Sequence, residues 1–402
     1  MVAMKTYPRV YTAMLREHLE TNRQMAFVSG PRQVGKTTVC RELADVYLNW
    51  DNENDRDAVL RGPEAVADLA GLQKVRENAP VIAFDELHKY GRWKRFLKGF
   101  FDVYERQARV ILTGSSRLDV DKRGGDSLMG RYFQYRMHPF SVAELVRPKP
   151  SPKTVHPPVP IPDGDWEALL EFGGYPEPFS RREARFCRRW KGLRRDQLLR
   201  EDVRELTRIQ ELSQMAALAD IMGARSGEQV VYSSLASQSR VSENTVRAWL
   251  NTLVSLHYGF MLKPWHRNVT AAIRKEPKWF LRDWADVPDP GKRAETLVAC
   301  HLLKAAEGWT DLGLGRFELH YIRDKQKREV DFLMTQDGSP WFLVEVKTSD
   351  TQLSPALDIM QRQTGAKHAF QAVLKEPYVE ANCFRHERPI VVSARALLSQ
   401  LF

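Results

Sequence analysis

Cysteine is scarce in this chain. Cys40, Cys187, Cys300 and Cys383 are the whole complement and no two form a C-x-x-C pair, which argues against a disulfide framework and against a zinc site built on paired thiolates. Long apolar runs are missing as well. No stretch approaches the roughly 20 residues of a membrane-spanning helix, and the first nine residues lack the apolar core of a secretion signal. A cytoplasmic, reducing setting without a membrane partner is expected. Acidic residues are the minority charge: 51 Asp and Glu stand against 61 Lys and Arg, for a formal net charge of +10. That balance makes a polyanion a plausible partner. With 402 residues, 43% of them apolar, the chain is long enough for two to four domains.

What is present begins with Gly30-Pro31-Arg32-Gln33-Val34-Gly35-Lys36-Thr37, placed between the apolar run 25–28 and an apolar-periodic stretch that opens with Thr38. The order strand, G-x-x-x-x-G-K-[ST], helix is that of a phosphate-binding loop. Gly30 and Gly35 let the backbone curl so that its N–H groups point inward, and the helix that follows adds the positive end of its dipole. Pro31, Arg32, Gln33, Val34 and Thr38 complete the expected ATP cradle. Lys36 is expected to reach the β- and γ-phosphates, and the Thr37 hydroxyl to ligate Mg²⁺. A second apolar strand, 81–84, runs into Asp85 and Glu86. Asp85 is expected to hold Mg²⁺ and Glu86 to polarise the attacking water. A third, 109–112, ends in Thr113-Gly114-Ser115-Ser116, where Thr113 is placed to touch the γ-phosphate or its water. Acidic pairs at strand ends are ordinarily solvated, so Asp85 and Glu86 carry weight through this succession rather than alone.

Helices are expected at 8–20, 56–78 and 94–104, and a further strand at 46–50. Strands alternating with helices predict a parallel, doubly wound α/β sheet with its ligands at the carboxyl ends of the strands. Arg131 is expected at a helix end before a strand at 134–137, where AAA+ ATPases carry the arginine that reaches a neighbouring subunit's γ-phosphate. A surface arginine is the alternative. The first reading implies a homo-oligomer. Residues 147–165 hold seven prolines and read as a semi-rigid connector. From there 166–210 is expected to be helical and lid-like, with an arginine-rich face. Within 211–277, a short helix at 233–238, a turn capped by Ser242 and a helix at 243–256 form a helix-turn-helix pattern. Its outer face would present Asn244, Thr245, Arg247, Ala248 and Asn251. The organisation is therefore 1–146, 147–165, 166–210, 211–277 and 278–402.

The last segment carries separate chemistry. Glu329-Val330-Asp331-Phe332-Leu333 and Phe342-Leu343-Val344-Glu345-Val346-Lys347 read as neighbouring strands, so that Glu345 and Lys347 share one face. With Asp331 they make the carboxylate, carboxylate, lysine constellation of restriction-endonuclease-like folds. Asp331 and Glu345, with Glu295 from a helix expected at 293–304, are candidate ligands for Mg²⁺ or Mn²⁺. Lys347 is placed to orient the attacking water. An exposed ion pair is the ordinary reading of E-x-K on a strand.

The succession GPRQVGKT, VIAFDELHK, ILTGSSR, GRYFQYRMHPFSVAEL, GGYPEP, EVDF and VEVK resembles bacterial and archaeal AAA-type ATPases that carry a C-terminal domain of unknown function. The resemblance runs from about residue 6 to the C-terminus. It implies an AAA-like P-loop core, a helical and winged-helix middle and a C-terminal α/β restriction-endonuclease-like domain. It assigns Gly30, Gly35, Lys36, Thr37, Asp85 and Glu86 to the nucleotide site, and Glu295, Asp331, Glu345 and Lys347 to the nuclease-like one. One departure is Lys89-Tyr90-Gly91, where the family commonly has a proline after the tyrosine. The expected function is ATP hydrolysis coupled to action on DNA, with a metal-dependent nuclease-like end. The rivals are an ATP-switched regulator or scaffold that does not cut, and a nucleotide-dependent toxin or defence component.

Overall fold

The computed structural model describes residues 6–114, 128–199, 203, 211–266 and 276–402. It divides into two units, one of residues 7–138 with 148–150, the other holding 139–147 and 151–402.

In the first unit five strands, β1 (Met25–Ser29), β2 (Val46–Asn49), β3 (Val81–Asp85), β4 (Arg109–Gly114) and β5 (Tyr132–Arg136), form one sheet in the order β2-β3-β4-β1-β5. Every pairing is parallel. Strands covered on both faces read as continuous apolar runs, and all of β1 and the last four residues of β3 are buried. The helix Trp93–Tyr104 closes one face, with Phe96, Leu97, Phe100 and Phe101 packed against the sheet core. Where one helix over 56–78 is expected, the chain forms two, Glu53–Leu60 and Pro63–Leu69. Gly62, at φ 108, and Pro63 end the first and start the second. Asn52 caps the first by accepting from the amides of Asn54 and Asp55. Residues 128–131 form a turn, with the Arg131 amide donating to the Leu128 carbonyl, and β5 begins at Tyr132, two residues earlier than expected. The helix end expected at these residues is therefore a turn, with Gly130 left-handed at φ 77.

The second unit contains the helices Asp163–Phe172, Pro176–Arg181, Ala184–Gln197 and Leu212–Ala224. Two further helices, Tyr232–Ser239 and Glu243–Ser255, meet at Arg240, which is left-handed at φ 54. Ser242 caps the second by accepting from the Thr245 amide at 3.1 Å. Val246, Trp249, Leu250 and Leu253 bury its inner stripe. An antiparallel hairpin of β6 (Gly259–Leu262) and β7 (Lys278–Leu281) follows, so strand pairing joins residues on both sides of the expected 277/278 boundary. A long helix, Pro290–Asp311, then precedes a second five-stranded sheet. Its strands are β8 (Phe317–Arg323), β9 (Glu329–Gln336), β10 (Ser339–Lys347), β11 (His368–Val373) and β12 (Ile390–Ser393). The pairs β8–β9 and β9–β10 are antiparallel, whereas β10–β11 and β11–β12 are parallel.

Residues 139–147 belong to this second unit. They form the short helix Val142–Val146, held by an ion pair between Glu144 and Lys304 whose side chains are 0% and 1% exposed. Lys304 also donates to the Pro139 carbonyl at 3.0 Å. His301 accepts from the Val142 amide through Nε2 at 3.1 Å, and its Nδ1 lies 2.8 Å from the Leu297 carbonyl. A buried charge pair is tolerable only when such extra hydrogen bonds accompany it.

Candidate functional site

The loop between β1 and the helix Lys36–Leu43 is built from backbone that few residues adopt. Gly35 lies at φ 103 and Gln33 at φ 61, and a Cβ on Gly30 would collide with the Met137 carbonyl beside it. From within the same unit, Arg9 donates to the carbonyls of Val34 and His138, bracing the loop against the chain after β5. The Lys36 ammonium is buried and donates to the carbonyls of Gly30 and Pro31, both at 2.8 Å. Burial pulls its pKa down to about 8, against the opposing pull of Glu86 and Asp85. Carbonyl dipoles are weak partners for a full charge, so an anionic phosphate is a better one. Val34 is buried, Arg32 is half-buried, and Thr37 and Thr38 are exposed at the start of the helix.

Asp85 ends β3 in a ring of hydroxyls. Thr37 donates to its Oδ2 at 2.9 Å, Tyr47 donates to the same oxygen, and Thr113 donates to Oδ1. A hydroxyl and a carboxylate at the loop are hard oxygen donors that suit Mg²⁺, so Thr37 and Asp85 fit that ion. Thr113 therefore meets Asp85 in this arrangement. The next residue, Glu86, has its backbone left-handed at φ 56, and one carboxylate oxygen is buried with no hydrogen-bond partner. Burial pushes its pKa up, with Lys36 opposing. A carboxyl held out of water and free to accept a proton is suited to act as a general base. His88 Nε2 lies 3.7 Å from it, and burial lowers the His88 pKa to about 4, so that ring stays neutral. Tyr47 and His88 were not expected at this site; a tyrosine on the neighbouring strand and a histidine in a short turn carry no spacing signal.

Arg131 lies at the other end of the sheet. It immediately precedes β5, and its carbonyl accepts from the Met25 amide at the start of β1. Its guanidinium grips Asp102 bidentately, at 2.7 and 3.1 Å. Within one chain it is therefore remote from the phosphate loop.

The second cluster stands where β9 and β10 separate. Asp331 lies one residue beyond the last registered pair, Phe332 with Val344, and accepts from the Val346 amide at 2.8 Å. Lys347 contacts Glu345 at 2.8 Å, while the other Glu345 oxygen is buried and unpartnered. Glu295, on the long helix, lies against Gly227, where a Cβ would stand 2.9 Å from its carboxylate. Lys278, at the start of β7, reaches into this group. Its side chain is 6% exposed, and its ammonium lies 3.2 Å from Glu295 and 2.6 Å from Glu329. Burial alone would lower the Lys278 pKa, but Glu295, Asp331 and Glu329 outweigh it and hold the ammonium firmly charged. Burial, then Glu295 and Glu345, push Asp331 well above the usual carboxylate range. Lys278 and Glu329 were missed at the sequence level; Lys278 lies fifty-odd residues from the E-V-D and outside any motif.

No group of three or more His, Cys, Asp or Glu among the described residues is arranged to hold a metal ion. The expected trio of Glu295, Asp331 and Glu345 is thus not drawn together as ligands. The structure puts an ammonium among the carboxylates instead, so as arranged they do not fit a divalent ion. On the helix-turn-helix, Asn244, Arg247, Ala248 and Asn251 are exposed and Thr245 is half-buried. The Arg247 guanidinium lies over the Tyr232 ring, 3.6 Å from its centroid. No helix among the described residues is long and apolar enough to cross a membrane.

Residues 22–146 match the AAA domain, and the chain carries an AAA-type P-loop ATPase domain, which implies nucleotide binding and supports ATP hydrolysis. Residues 163–285 and 290–377 match two domains of unknown function, DUF8612 and DUF4143. Two curated relatives, the uncharacterized proteins Mb2031c of Mycobacterium bovis and Rv2008c of Mycobacterium tuberculosis, are each 22% identical over 342 residues, spanning 83% of this chain and 72% of theirs. Among solved structures, AMPPCP-bound DnaA from Aquifex aeolicus aligns over 60% of this chain and 86% of its own, at 12% identity and a TM-score of 0.29.

Proposed function

We propose that this protein binds and hydrolyses ATP at the Lys36, Thr37, Asp85, Glu86 site and acts on DNA, which it contacts through its second unit. The observation that carries the ATPase reading is the buried Lys36 ammonium, held by loop carbonyls beside a carboxyl suited to accept a proton. Mg²⁺ would be held by Thr37 and Asp85 and would neutralise charge on the transferring phosphoryl group. Lys36 would bind the β- and γ-phosphates, and Glu86 would take a proton from the attacking water. Arg131 would act across a subunit boundary in a homo-oligomer, after releasing Asp102.

The net charge of +10 and the exposed Arg247 face support DNA as the partner, with the two helices and the β6–β7 hairpin acting as a winged helix. The mixed sheet behind the long helix supports a restriction-endonuclease-like reading of 278–402. Lys278 among the carboxylates favours the non-cutting form of that reading, a domain that binds nucleic acid or a partner. Binding of the full chain to labelled duplex, single-stranded and branched DNA across a salt series tests the proposal. A linear fall of log affinity with log salt, shallower in Arg247→Ala, is expected. Affinity for no DNA at any salt would leave the regulator or scaffold reading.

A further inference from the structure

We propose that Lys278 is a built-in counter-ion that takes the place of a divalent metal in the carboxylate cluster between β9 and β10. The inference rests on reading that cluster as a restriction-endonuclease-like site. The cluster has been given its cation from outside its own motif. Lys278 opens β7, the second strand of the hairpin, and its side chain is buried to within a few per cent. Two carboxylates hold its ammonium at 3.2 and 2.6 Å, distances at which a charge-assisted pair in a low dielectric is strong. The ring of Tyr321 lies 5.6 Å from the same nitrogen, and the Tyr321 hydroxyl donates to the Glu276 carbonyl at 2.6 Å, fixing the wall behind it. Gly227 leaves room for Glu295 to approach.

The remaining ligands are turned to other partners in a consistent way. Asp331 takes a backbone amide and Glu345 takes Lys347. A divalent ion entering this group would have to displace the ammonium or share its carboxylates. Lys278 thus makes the site insensitive to metal while compensating the charge of the largely buried Glu295. One oxygen of Glu345, buried and without a partner, remains as an acceptor facing this group.

The test is a titration of the nucleotide-free full chain with Mn²⁺, following the electron paramagnetic resonance signal of the free ion. Wild type, Asp331→Asn, Lys278→Gln, and the double variant are compared, with folding checked by circular dichroism. Wild type and Asp331→Asn are expected to bind alike, whereas Lys278→Gln gains a site at least about tenfold tighter that Asp331→Asn removes. Lys278→Arg, which keeps the charge, is expected to gain nothing. An Asp331-dependent site in wild type as tight as in Lys278→Gln overturns the role of Lys278 and leaves the metal-site reading standing. A folded Lys278→Gln protein with no Asp331-dependent site overturns both. If Lys278→Gln does not fold, the wild-type and Asp331→Asn pair decides alone, because tight Asp331-dependent binding in wild type contradicts the proposal.

Discussion

Two buried lysines, Lys36 opening a helix and Lys278 opening a strand, each beside carboxylates, divide this molecule's chemistry. Lys36 is held by two neutral carbonyls, while its carboxylate neighbour Asp85 is occupied by three hydroxyls. Lys278 is held by Glu295 and Glu329 directly. Burial acts on both, but the net result is opposite: Lys36 drops to about 8, and Lys278 is held above its ordinary value. Lys36 bonds to dipoles while Glu86 and Asp85 act on it more weakly than burial does, and a triphosphate supplies a direct anionic partner. A buried cation already paired with carboxylates lacks nothing. The same residue type therefore marks an open anion site in one unit and a closed, self-neutralised cluster in the other.

The largest effect expected to sharpen this contrast is in the ATPase unit. If Arg131 completes a neighbour's site, Arg131→Ala lowers the hydrolysis rate on the order of a thousandfold. Mixing it with Lys36→Ala then restores activity in hetero-oligomers. Full activity of a strictly monomeric protein at low concentration rules that out. Glu86→Gln is expected to lower hydrolysis at least about a hundredfold while ATP affinity stays near wild type, measured by single-turnover kinetics beside equilibrium binding. A wild-type rate in that variant would break the assignment of the base.

Lys36→Met is expected to weaken ATP about a hundredfold, a loss typical of removing a charged partner from a buried pair. Lys278→Met is expected to leave ATP affinity alone and to destabilise the fold by about 3–5 kcal/mol, because Glu295 and Glu329 lose the ammonium they share and Arg323, 3.8 Å from Glu329, does not replace it at Glu295. Calorimetry and urea unfolding on the two variants separate these outcomes, and a shared pattern of loss would erase the comparison.

The smallest effect concerns pH. His301 is buried and neutral, with its pKa lowered to about 4 by burial. Its unfolded value is 6.5, so the unfolded chain binds a proton first as pH falls. The contribution of His301 to the stability of the second unit is thus full above pH 6.5 and is lost toward pH 4, by about 3 kcal/mol in total. Urea unfolding between pH 7.5 and 4.5 should show that slope, and His301→Gln should reduce it, leaving the part due to His156, His320 and His368, whose pKa values burial also lowers.

Legibility from sequence followed how local each feature is. Lys36, Thr37 and Asp85 were readable because loop curvature, helix start and strand end are all dictated within a few residues. The helix Glu243–Ser255 was readable for the same reason, through Ser242 and a regular apolar stripe. The break at Gly62-Pro63 was readable in principle, because a glycine followed by a proline suits the end of one helix and the first turn of the next. The order of the central strands β3-β4-β1 was not legible, since all three are apolar runs that only tertiary packing orders, whereas β2 and β5, with Asn49, Gln134 and Arg136, carry the polar residues of edge strands. Lys278 was invisible for a related reason: its role is set by which carboxylates the fold brings to it from the long helix and from β9. The docking of 139–147 through Glu144, His301 and Lys304 likewise joins residues some 160 positions apart.

The central claim is that ATP turnover in the first unit serves an action on DNA. Steady-state ATPase rates of the purified full chain, with Mg²⁺, measured alone and with duplex, single-stranded and branched DNA at several salt concentrations, test it most directly. The account predicts that at least one DNA form raises the rate, that the stimulation fades as salt rises, and that Glu86→Gln abolishes it. A rate indifferent to every DNA at every salt, in a protein that still hydrolyses ATP through Glu86, would contradict it.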